Sequence, residues 1–428
     1  MRRMASRFQA LRGTKDILPE EVTAWRFLEQ TTHEVFARYG FREIRTPLFE
    51  ATDLFSRGVG TSTDIVRKEM YTFDAGDESV TLRPESTAPV VRAFVEHAMH
   101  RTIAAGYPER LYYLGPMFRY ERPQKGRQRQ FHQLGAEVLG AEEPLADAET
   151  IELVFALLDA LGIGDRLLRL STVGDAVCRP QYRETLTRWL TPRLPGMCDD
   201  CKRRAVENPL RVFDCKVEAD RKLLEEAPDV IGSLCAPCTA HFDAVRRALD
   251  DFAIPYVLDR RLVRGLDYYV RTVFEVVSSG LGAQNALLGG GRYDGLVAAL
   301  GGPEIPGFGF AAGLERLVMS MGKNAVIDTS VDVLLVGLGE AGFRGSIALA
   351  KKLRARGLRV AVPLTERPLG AQMKRAERLG ARFALFVGET ELARGTFGLK
   401  NLTSGEQVEV AEAGIVAALA AGGKGHAV

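Results

Sequence analysis

Hydrophobic and polar positions alternate with a period of two along two neighbouring runs between Gly115 and Gly140. Such alternation predicts two half-buried β-strands, and the turn-rich connector PQKGRQR predicts that they form a hairpin. One face of the predicted hairpin carries Met117, Arg119, Glu121, Phe131, Gln133, Gly135 and Glu137. Four polar side chains on one face are costly in a core unless each is paired. This face is therefore a better candidate for a functional site than for an ion-paired sheet surface.

An apolar stripe at helical spacing runs from Trp25 to Tyr39 and predicts a core-facing helix that ends at Gly40. The next run, Phe41–Pro47, predicts a strand that is stopped by its proline. Further predicted elements are short strands over Met70–Phe73 and Ser79–Arg83, a helix beginning near Thr87 and a helix over Ala146–Leu161.

Strand and helix patterns alternate beyond a predicted linker at Gly322–Ser330. The predicted elements are a strand in VDVLLVGLG, strands over Leu358–Leu364 and Arg382–Val387, helices over Phe343–Arg356 and Ala371–Leu379, a hairpin around TSGE and a last helix. This alternation favours a three-layer α/β domain over residues 331–428. That segment has 14 Lys and Arg against 9 Asp and Glu, a net charge of +5. The charge fits a polyanionic partner or a solvated surface equally well.

The composition is that of an ordinary globular protein, with 46% hydrophobic residues, 26% charged residues and a net charge of +2. Charge alone therefore does not indicate nucleic acid. The length of 428 residues predicts two or three domains. No run approaches the ~20 apolar residues of a membrane helix, and the basic start lacks the apolar run of a signal peptide. We therefore expect a cytoplasmic protein with no membrane partner.

The composition changes from about residue 170 to 253, where Arg, Glu and Cys are abundant. Cys198 with Cys201 and Cys235 with Cys238 form two pairs with the C-x2-C spacing of zinc sites, and Cys215 lies between the pairs. The alternatives are a structural zinc held by the two pairs and reduced, buried thiols. The thiols are favoured, so no metal ligand is assigned.

Three stretches resemble the motifs of the class II aminoacyl-tRNA synthetases: Trp25–Pro47, FRYE at 118–121, and Pro306–Met321. The runs ERPQKGRQRQFHQLGAEVLG and LVRGLDYY resemble the histidyl-tRNA synthetases in particular, and the stretches follow the family's order. The resemblance implies an α/β fold with an α+β catalytic domain over residues 1–325, built on an antiparallel sheet. It also implies a helical insertion at about 170–253 and an α/β anticodon-binding domain over 331–428.

The resemblance further implies a histidine pocket. The residues it assigns to histidine are Glu85, Ser86, Thr87, Arg119, Gln133, Glu137, Arg264, Tyr268, Tyr269 and Tyr293. Ser86 departs from the family, which usually has glycine there, and the departure affects backbone geometry. From the residues alone, Glu85 is interpreted as a helix cap. The Gly-rich run LGGGRYDGL, by the same reasoning, lets backbone approach a ligand.

The implied reaction is activation of L-histidine by ATP with Mg²⁺, followed by transfer of histidine to tRNA(His). The residues assigned to ATP are Arg119, Glu121, Phe131 and Arg316. Arg264, Arg119 and Arg316 are assigned to catalysis, because activation brings two anions together and needs cations to cancel the developing charge. The motif at Trp25–Pro47 implies a homodimer.

Two segments are expected to meet tRNA. The hairpin connector carries Lys125, Arg127 and Arg129 without an acid, and we expect it to reach the acceptor end. The +5 segment after Val331 is expected to hold the anticodon stem-loop.

Two other functions are weighed. One is the catalytically silent, synthetase-like regulatory subunit of ATP phosphoribosyltransferase, which lacks the anticodon domain and degrades the histidine peptide. The complete LVRGLDYY and the C-terminal segment count against it. The other is a non-catalytic RNA-binding module, which has no use for Arg119, Arg264 and Arg316 in a buried cleft.

Overall fold

The computed structural model describes residues 8–60, 63–101, 103, 107–124, 126–281, 285–322, 325 and 327–421. The chain divides into two compact units, Met1–Ile327 and Asp328–Val428. No helix in the described ranges combines the length and the apolar character needed to cross a bilayer.

The first unit is a mixed α/β structure. Its described strands are β1 (Arg42–Glu43), β2 (Phe49–Ala51), β3 (Tyr71–Ala75), β4 (Glu78–Leu82), β5 (Glu109–Phe118), β6 (Gln130–Leu139), β7 (Leu167–Thr172), β8 (Tyr256–Leu258), β9 (Val270–Val277), β10 (Ala286–Arg292) and β11 (Gly307–Gly313). Its described α-helices are α1 (Pro19–Arg38), α2 (Thr52–Val59), α3 (Thr87–Glu96), α4 (Pro144–Ala160), α5 (Arg179–Leu190), α6 (Asp199–Glu207), α7 (Glu218–Leu223), α8 (Ala236–Asp251), α9 (Leu296–Ala299) and α10 (Leu314–Ser320).

An eight-stranded sheet in the order β1-β5-β6-β11-β10-β9-β7-β8 forms the centre of this unit. Within the described strands of this sheet, the neighbouring pairs from β5 to β7 are antiparallel. The two edge pairs, β1·β5 and β7·β8, are parallel. The predicted hairpin is β5–β6, with Met117 opposite Phe131 and Gly115 opposite Gln133. A separate three-stranded antiparallel sheet has the order β2-β4-β3.

The predicted strand over Phe41–Pro47 is wrong in extent, because only Arg42–Glu43 pairs with β5. The first strand of the hairpin was also predicted too long. It ends at Phe118, since the next amides bond elsewhere: Arg119 N donates to Arg129 O, and Tyr120 N donates to Glu69 O. Glu121 therefore does not continue the strand face.

The apolar core lies on one face of the large sheet. The alternate positions Leu134, Ala136 and Val138 of β6 pack there, as the period of two predicted. Helices α1, α4 and α8 cover this face and contribute Leu28, Val154, Val245 and other apolar side chains. The predicted stripe of α1 is confirmed, with Trp25, Leu28, Thr32, Val35 and Phe36 buried. The opposite face stays available for polar side chains.

The helical segment between β7 and β8 has a small core of its own, which includes Tyr182, Leu186, Val212 and Val230. Leu170, at the predicted start of the insertion, instead belongs to β7, and α8 packs into the main core. The segment also contacts the loop before β9. Arg211 Nη2 donates to Gly265 O at 2.6 Å and to Asp267 Oδ1 at 3.2 Å, and Asn208 Nδ2 donates to the same carboxylate at 3.3 Å.

The second unit is a sheet with helices on both faces. Its described elements are β12 (Val333–Gly337), α11 (Gly339–Arg354), β13 (Val360–Ala361), α12 (Leu369–Arg378), β14 (Phe383–Val387), α13 (Glu389–Arg394), β15 (Thr396–Asn401), β16 (Gln407–Ala411) and α14 (Ile415–Ala421). The strand order is β13-β12-β14-β15-β16, parallel in the first three strands. Val333 and Leu335 face α11 and α14, whereas Leu334 and Val336 face α12. The three-layer α/β prediction is confirmed, and α13 is an addition to the predicted elements.

An ion pair with no solvent exposure joins α4 to the end of β10. Arg292 and Asp147 are both 0% exposed, and their side chains are hydrogen-bonded. Arg292 also donates to Ala141 O at 2.9 Å, and His241 Nε2 lies 3.0 Å from Asp147 Oδ2. The pair fixes the backbone just before Tyr293.

We predict that Asp147→Ala lowers the free energy of unfolding by about 3–5 kcal/mol, because it leaves a buried guanidinium without its main partner. The matched control is Glu149→Ala on the same helix. Glu149 pairs with Arg110 in a part-exposed position, so its loss should cost about 1 kcal/mol or less. Urea unfolding of both variants measures the difference, and equal small losses would contradict the importance of the buried pair.

Candidate active site

A cavity of ≈ 170 Å³ opens on the face of the sheet away from α1, α4 and α8. It is lined by Ile65, Glu85, Thr87, Tyr113, Arg119, Gln133, Glu137, Arg264, Gly265, Leu266, Tyr268, Tyr269, Gly289, Tyr293, Gly309, Phe310 and Ala311. Nine of the ten residues assigned to histidine therefore lie around one cavity. The structure brings them together from β6, the start of α3, the loop before β9, and the residues that directly follow β5 and β10.

Glu85 combines the two interpretations that its sequence context allowed. Its carboxylate accepts hydrogen bonds from Thr87 N at 2.8 Å and Ala88 N at 3.0 Å, so it caps α3. It also lines the cavity, with only 4% exposure. Burial raises the pKa of Glu85 above its ordinary value, although the two backbone amides favour the charged form. The cap fixes this carboxylate at the cavity wall.

Ser86 is the one histidine-assigned residue that does not line the cavity. It is fully buried, and its Oγ lies 3.3 Å from Thr46 Oγ1. Its carbonyl accepts the hydrogen bond from Val90 N inside α3. Ser86 therefore lies behind the cavity lining, beside Thr46, and its assignment to histidine stays a prediction.

Glu137 lies in the middle of β6 with 1% exposure. Thr87 Oγ1 donates to Glu137 Oε1 at 2.8 Å, and Tyr293 OH donates to Oε2. Burial raises the pKa of Glu137 to about 8, since these two hydrogen bonds do not offset the loss of water, and the charge of Glu85 adds to the shift. The cavity thus holds two buried carboxyl groups, and a cationic ligand would stabilise their charged forms.

Gln133 is a buried acceptor that faces the cavity. Its Oε1 has no hydrogen-bond partner among the described residues. A buried polar atom without a partner costs about 1–3 kcal/mol, so a ligand N–H at this place would be stabilised.

Three tyrosine rings form an aromatic wall. The ring centroids of Tyr268 and Tyr269 are 4.7 Å apart, and those of Tyr268 and Tyr293 are 5.6 Å apart. Burial raises the pKa of each of these phenols, so all three stay neutral hydrogen-bond donors. The wall is suited to a flat ligand group that also needs polar contacts.

Arg264 enters the cavity from the loop before β9. Its Nη1 donates to Glu275 Oε1 at 3.1 Å, which holds the guanidinium against β10. A Cβ atom on Gly289 would collide with that guanidinium, and a Cβ on Gly309 would collide with Glu137 Oε2. The glycines of these strands therefore leave space for the protein's own side chains. The sequence interpretation of the Gly-rich run had instead assigned that space to a ligand.

Arg119 lies between this cavity and a second polar region, which contains Glu121, Arg127 and Arg316. Its Nε donates to Pro84 O at 2.8 Å, and its guanidinium carbon lies 5.2 Å from the ring centroid of Phe131. A cation over an aromatic face is an attractive pair that also orients the arginine. Phe131 is outside the cavity lining but is joined to it through Arg119.

Arg316 and Glu121 also lie outside the cavity lining, in the second region. Arg127 Nη1 donates to Glu121 Oε2 at 2.8 Å, and Arg316 Nε donates to Gly126 O at 3.4 Å. Burial and the nearby charge of Arg127 both lower the pKa of Arg316 below its ordinary value. Two cations held close together would be stabilised by an anion.

The connector of the hairpin is less free than its sequence suggests. Arg127 is paired with Glu121, and the guanidinium carbon of Arg129 lies 4.1 Å from the ring centroid of Tyr120. Lys125 lies outside the described residues.

Sequence reasoning missed Tyr113, Ile65, Leu266 and Glu275. Tyr113 is 2% exposed on β5 and lines the cavity beside Gly135, whose Cβ would collide with the phenol. The sequence contained a signal for Tyr113. Extending the alternation of the hairpin run two residues before Gly115 places Tyr113 on the cavity face, and in the ladder it lies directly opposite Gly135. Glu275 had no such signal, since its pairing with Arg264 is formed only by the fold.

The six cysteines form two separate groups. The base cluster is Asp175, Cys178, Cys235 and Cys238, and the inner cluster is Cys198, Cys201, Cys215 and Asp220. The alternative of one site built from both C-x2-C pairs does not fit this arrangement, because each pair meets a different third cysteine and an aspartate. Cys215 is a full member of one group, and Cys178 was not considered.

Comparison with known proteins agrees with this geometry. Residues 13–317 match the family model described as histidyl-tRNA synthetase, and residues 332–421 match one described as an anticodon binding domain. The chain belongs to the histidyl-tRNA synthetase family. It is thus an aminoacyl-tRNA ligase by family, with the α/β fold predicted for such a member.

Curated relatives support the family assignment along the whole chain. A histidine–tRNA ligase from Syntrophotalea carbinolica is 49% identical over 410 residues, covering 96% of this chain and 97% of the relative. Another from Moorella thermoacetica is 52% identical over 409 residues, covering 95% and 96%.

Solved structures extend the comparison to the fold. The apo histidyl-tRNA synthetase of S. aureus has a TM-score of 0.81 and 36% identity, covering 96% of this chain and 99% of that one. A Bacillus halodurans structure described as an ATP phosphoribosyltransferase regulatory subunit/histidyl-tRNA synthetase has a TM-score of 0.64 and 22% identity, covering 90% and 99%. The second likeness shows the fold alone, so the regulatory-subunit hypothesis is not favoured.

We predict that the stability of the unliganded protein depends on pH through Glu137. In the unfolded chain this carboxyl ionises near its ordinary value of 4.5, whereas in the fold it keeps its proton up to about 8. The folded state binds more protons between these values, so the free energy of unfolding falls as pH rises and levels off above about 8.

Relative to Glu137→Gln, which cannot titrate, the wild type should lose about 3–4 kcal/mol of stability between pH 5 and 8. Calorimetric unfolding across that range measures the difference. Glu96→Gln, at the exposed end of α3, is the control and should follow the wild type. A constant difference for Glu137→Gln would show that Glu137 is ionised in the fold.

Proposed function

We propose that this chain activates L-histidine with ATP to give histidyl-adenylate and pyrophosphate, and that it then transfers histidine to the 3′ end of tRNA(His). The observation that carries the proposal is the pair of buried carboxyl groups, Glu85 and Glu137, in one cavity. They lie beside an unpartnered amide oxygen and three tyrosine rings. Histidine offers a cationic ammonium, two imidazole nitrogens and a flat ring to such a site.

The polar wall supports selectivity for histidine. Glu85 and Glu137 are acceptors for N–H groups, and the Oε1 of Gln133 is a third. An apolar amino acid of similar size would leave these buried acceptors without partners. Sites built in this way reject analogues that lack the matching donor by about 10⁴–10⁵-fold.

ATP is proposed to bind across Arg119 and the second polar region. Phe131 offers a face on which adenine stacks, and Arg316 and Arg127 supply positive charge for the triphosphate. Arg119 contacts both regions, so it can reach the carboxylate of histidine and the α-phosphate together.

The residues present also fit Mg²⁺, which prefers carboxylate oxygens and phosphates. Tyr120 N donates to Glu69 O at 2.7 Å, so Glu69 lies beside the segment that carries Glu121, and burial and the neighbouring charge of Glu121 raise the pKa of Glu69. Glu69 and Glu121 would hold the ion, which shields the charge of the triphosphate.

The chemical step needs little covalent help from the protein. A carboxylate oxygen of histidine attacks the α-phosphorus of ATP, and the bond to the pyrophosphate oxygen breaks. Arg119, Arg264 and Arg316 are proposed to stabilise the charge that develops on the phosphorus oxygens, while the pocket positions the nucleophile. In the second step a ribose hydroxyl of tRNA attacks the carbonyl carbon and AMP leaves.

The first prediction concerns activation. The chain should catalyse histidine-dependent exchange of pyrophosphate into ATP, and Arg264→Ala should lower this rate by about 10²-fold or more. Arg169→Ala is the matched control, because Arg169 also lies against Glu275, at 3.9 Å, but does not line the cavity. Its rate should stay within a few-fold of the wild type.

Exchange that is equal with other amino acids would refute the assignment of histidine. An Arg264→Ala rate within tenfold of the wild type, with an unchanged circular dichroism spectrum, would refute the role of that arginine.

The second unit is proposed to hold the anticodon stem-loop. Its net charge of +5 and its match to an anticodon-binding model support this assignment. Phosphate contacts supply affinity and base contacts supply identity in such complexes. We further propose a homodimer that uses the α1 region, which sedimentation at micromolar concentration tests, and a cytoplasmic location.

Deletion of residues 331–428 should lower aminoacylation of tRNA(His) at least tenfold more than it lowers histidine activation, because the cavity lies within the first unit. Parallel measurement of both rates on the truncated dimer provides the test. A truncated protein that charges full-length tRNA normally would assign the second unit another role.

A further inference from the structure

The base cluster and the inner cluster repeat the same chemistry outside the active site. Each contains three cysteine sulfurs and one aspartate carboxylate, and the four ligand atoms of each lie within 4.8 Å of one another. Four of the six cysteines are buried, with Cys201 at 0%, Cys238 at 1%, Cys178 at 4% and Cys215 at 6% exposure, and Cys198 and Cys235 are partly exposed.

The distances match the edges of a coordination tetrahedron. Zinc bonds of about 2.3 Å to sulfur and about 2.0–2.2 Å to oxygen place two sulfurs about 3.8 Å apart and a sulfur about 3.5 Å from the oxygen. In the base cluster, Cys178 Sγ lies 3.8 Å from Cys238 Sγ and 3.5 Å from Asp175 Oδ1. In the inner cluster, Cys215 Sγ lies 3.7 Å from Cys198 Sγ and 3.4 Å from Asp220 Oδ2.

Both clusters are assembled in the same way. A C-x2-C pair lies at the start of a helix, with Cys198 immediately before α6 and Cys235 immediately before α8. A second segment then supplies one cysteine and one aspartate. The positive end of a helix favours thiolates over thiols.

The clusters are poorly explained as ordinary packing. Thiols are weak donors, yet the buried Asp220 and the partly exposed Asp175 each place a carboxylate oxygen against them. The separations of 3.7–3.8 Å are also far longer than the ~2.05 Å of a disulfide bond. A thiophilic cation would satisfy all eight groups.

We propose that this chain holds two zinc ions, each bound by three cysteine thiolates and one aspartate carboxylate. The base site joins the segment after β7 to the start of α8, so it closes the two ends of the helical insertion onto the catalytic sheet. The inner site joins α6 to the segment that leads into α7, within the small core of the insertion. Four protein ligands leave no open position, so both ions are structural.

Metal analysis of the full-length protein, purified without added zinc, tests the proposal directly. Two zinc ions per chain are expected, and removal with a chelator should release the thiols to titration. A content near zero with six freely titrating thiols would overturn the proposal in favour of packed cysteines. Iron with acid-labile sulfide would overturn it in favour of clusters.

Variants separate two sites from the single four-cysteine site. Cys178→Ser and Cys215→Ser should each lower the zinc content from two ions to one, whereas a four-cysteine site would be unaffected by either change. Asp175→Asn and Asp220→Asn should each weaken one site. Asp229→Asn is the matched control, because Asp229 lies in the same insertion but bonds Gly232 N and Arg260.

Cobalt substitution keeps the test decisive if a variant folds poorly. The wild-type protein reconstituted with Co²⁺ should show the intense thiolate-to-metal charge-transfer absorption of tetrahedral sites and take up two ions per chain. Uptake of one ion, or a spectrum without thiolate ligation, would contradict the proposal.

Discussion

The structure of the catalytic unit depends on holding two almost fully buried carboxyl groups, Glu85 and Glu137, in one cavity. Glu137 lies on a central strand, so the residues around it must leave space for its side chain as well as donate hydrogen bonds to it. Gly309 provides the space, and Thr87 and Tyr293 provide the donors. Both donors are neutral groups, and their two hydrogen bonds together stabilise the Glu137 anion by less than burial destabilises it. A pocket built in this way favours a ligand that places a further positive charge beside Glu137.

This constraint connects the cavity to the distant core. Tyr293 follows Arg292, whose guanidinium is buried against Asp147 of α4. The apolar face of the sheet therefore fixes the backbone from which a cavity tyrosine reaches Glu137. The helix cap by Glu85 acts similarly on the other side, because the start of α3 cannot move without moving that carboxylate.

Local sequence patterns predicted the parts of this arrangement that depend on neighbours along the chain. The period of two in β6 correctly separated Gln133 and Glu137 from Leu134, Ala136 and Val138. The family resemblance supplied the loop and helix residues that no periodicity could join to them. What could not be predicted depends on contacts between distant segments: the strand end at Phe118, the support of Arg264 by Glu275, and the division of the cysteines into two groups. Residue spacing also does not reveal which way a side chain turns at a helix start, so it could not show that Ser86 lies beside Thr46.

The contacts of Arg211 and Asn208 with the loop before β9 have a thermodynamic consequence. They join the helical insertion to Gly265 and Asp267, next to the tyrosines of the cavity. An occupant of the cavity that orders this loop also favours the docked insertion, and the coupling is reciprocal. A molecule that binds the docked insertion would therefore raise the affinity of the cavity for its occupant by some factor. The occupant would raise the affinity of the insertion for that molecule by the same factor. The insertion and the cavity are in this sense thermodynamically linked through a few hydrogen bonds.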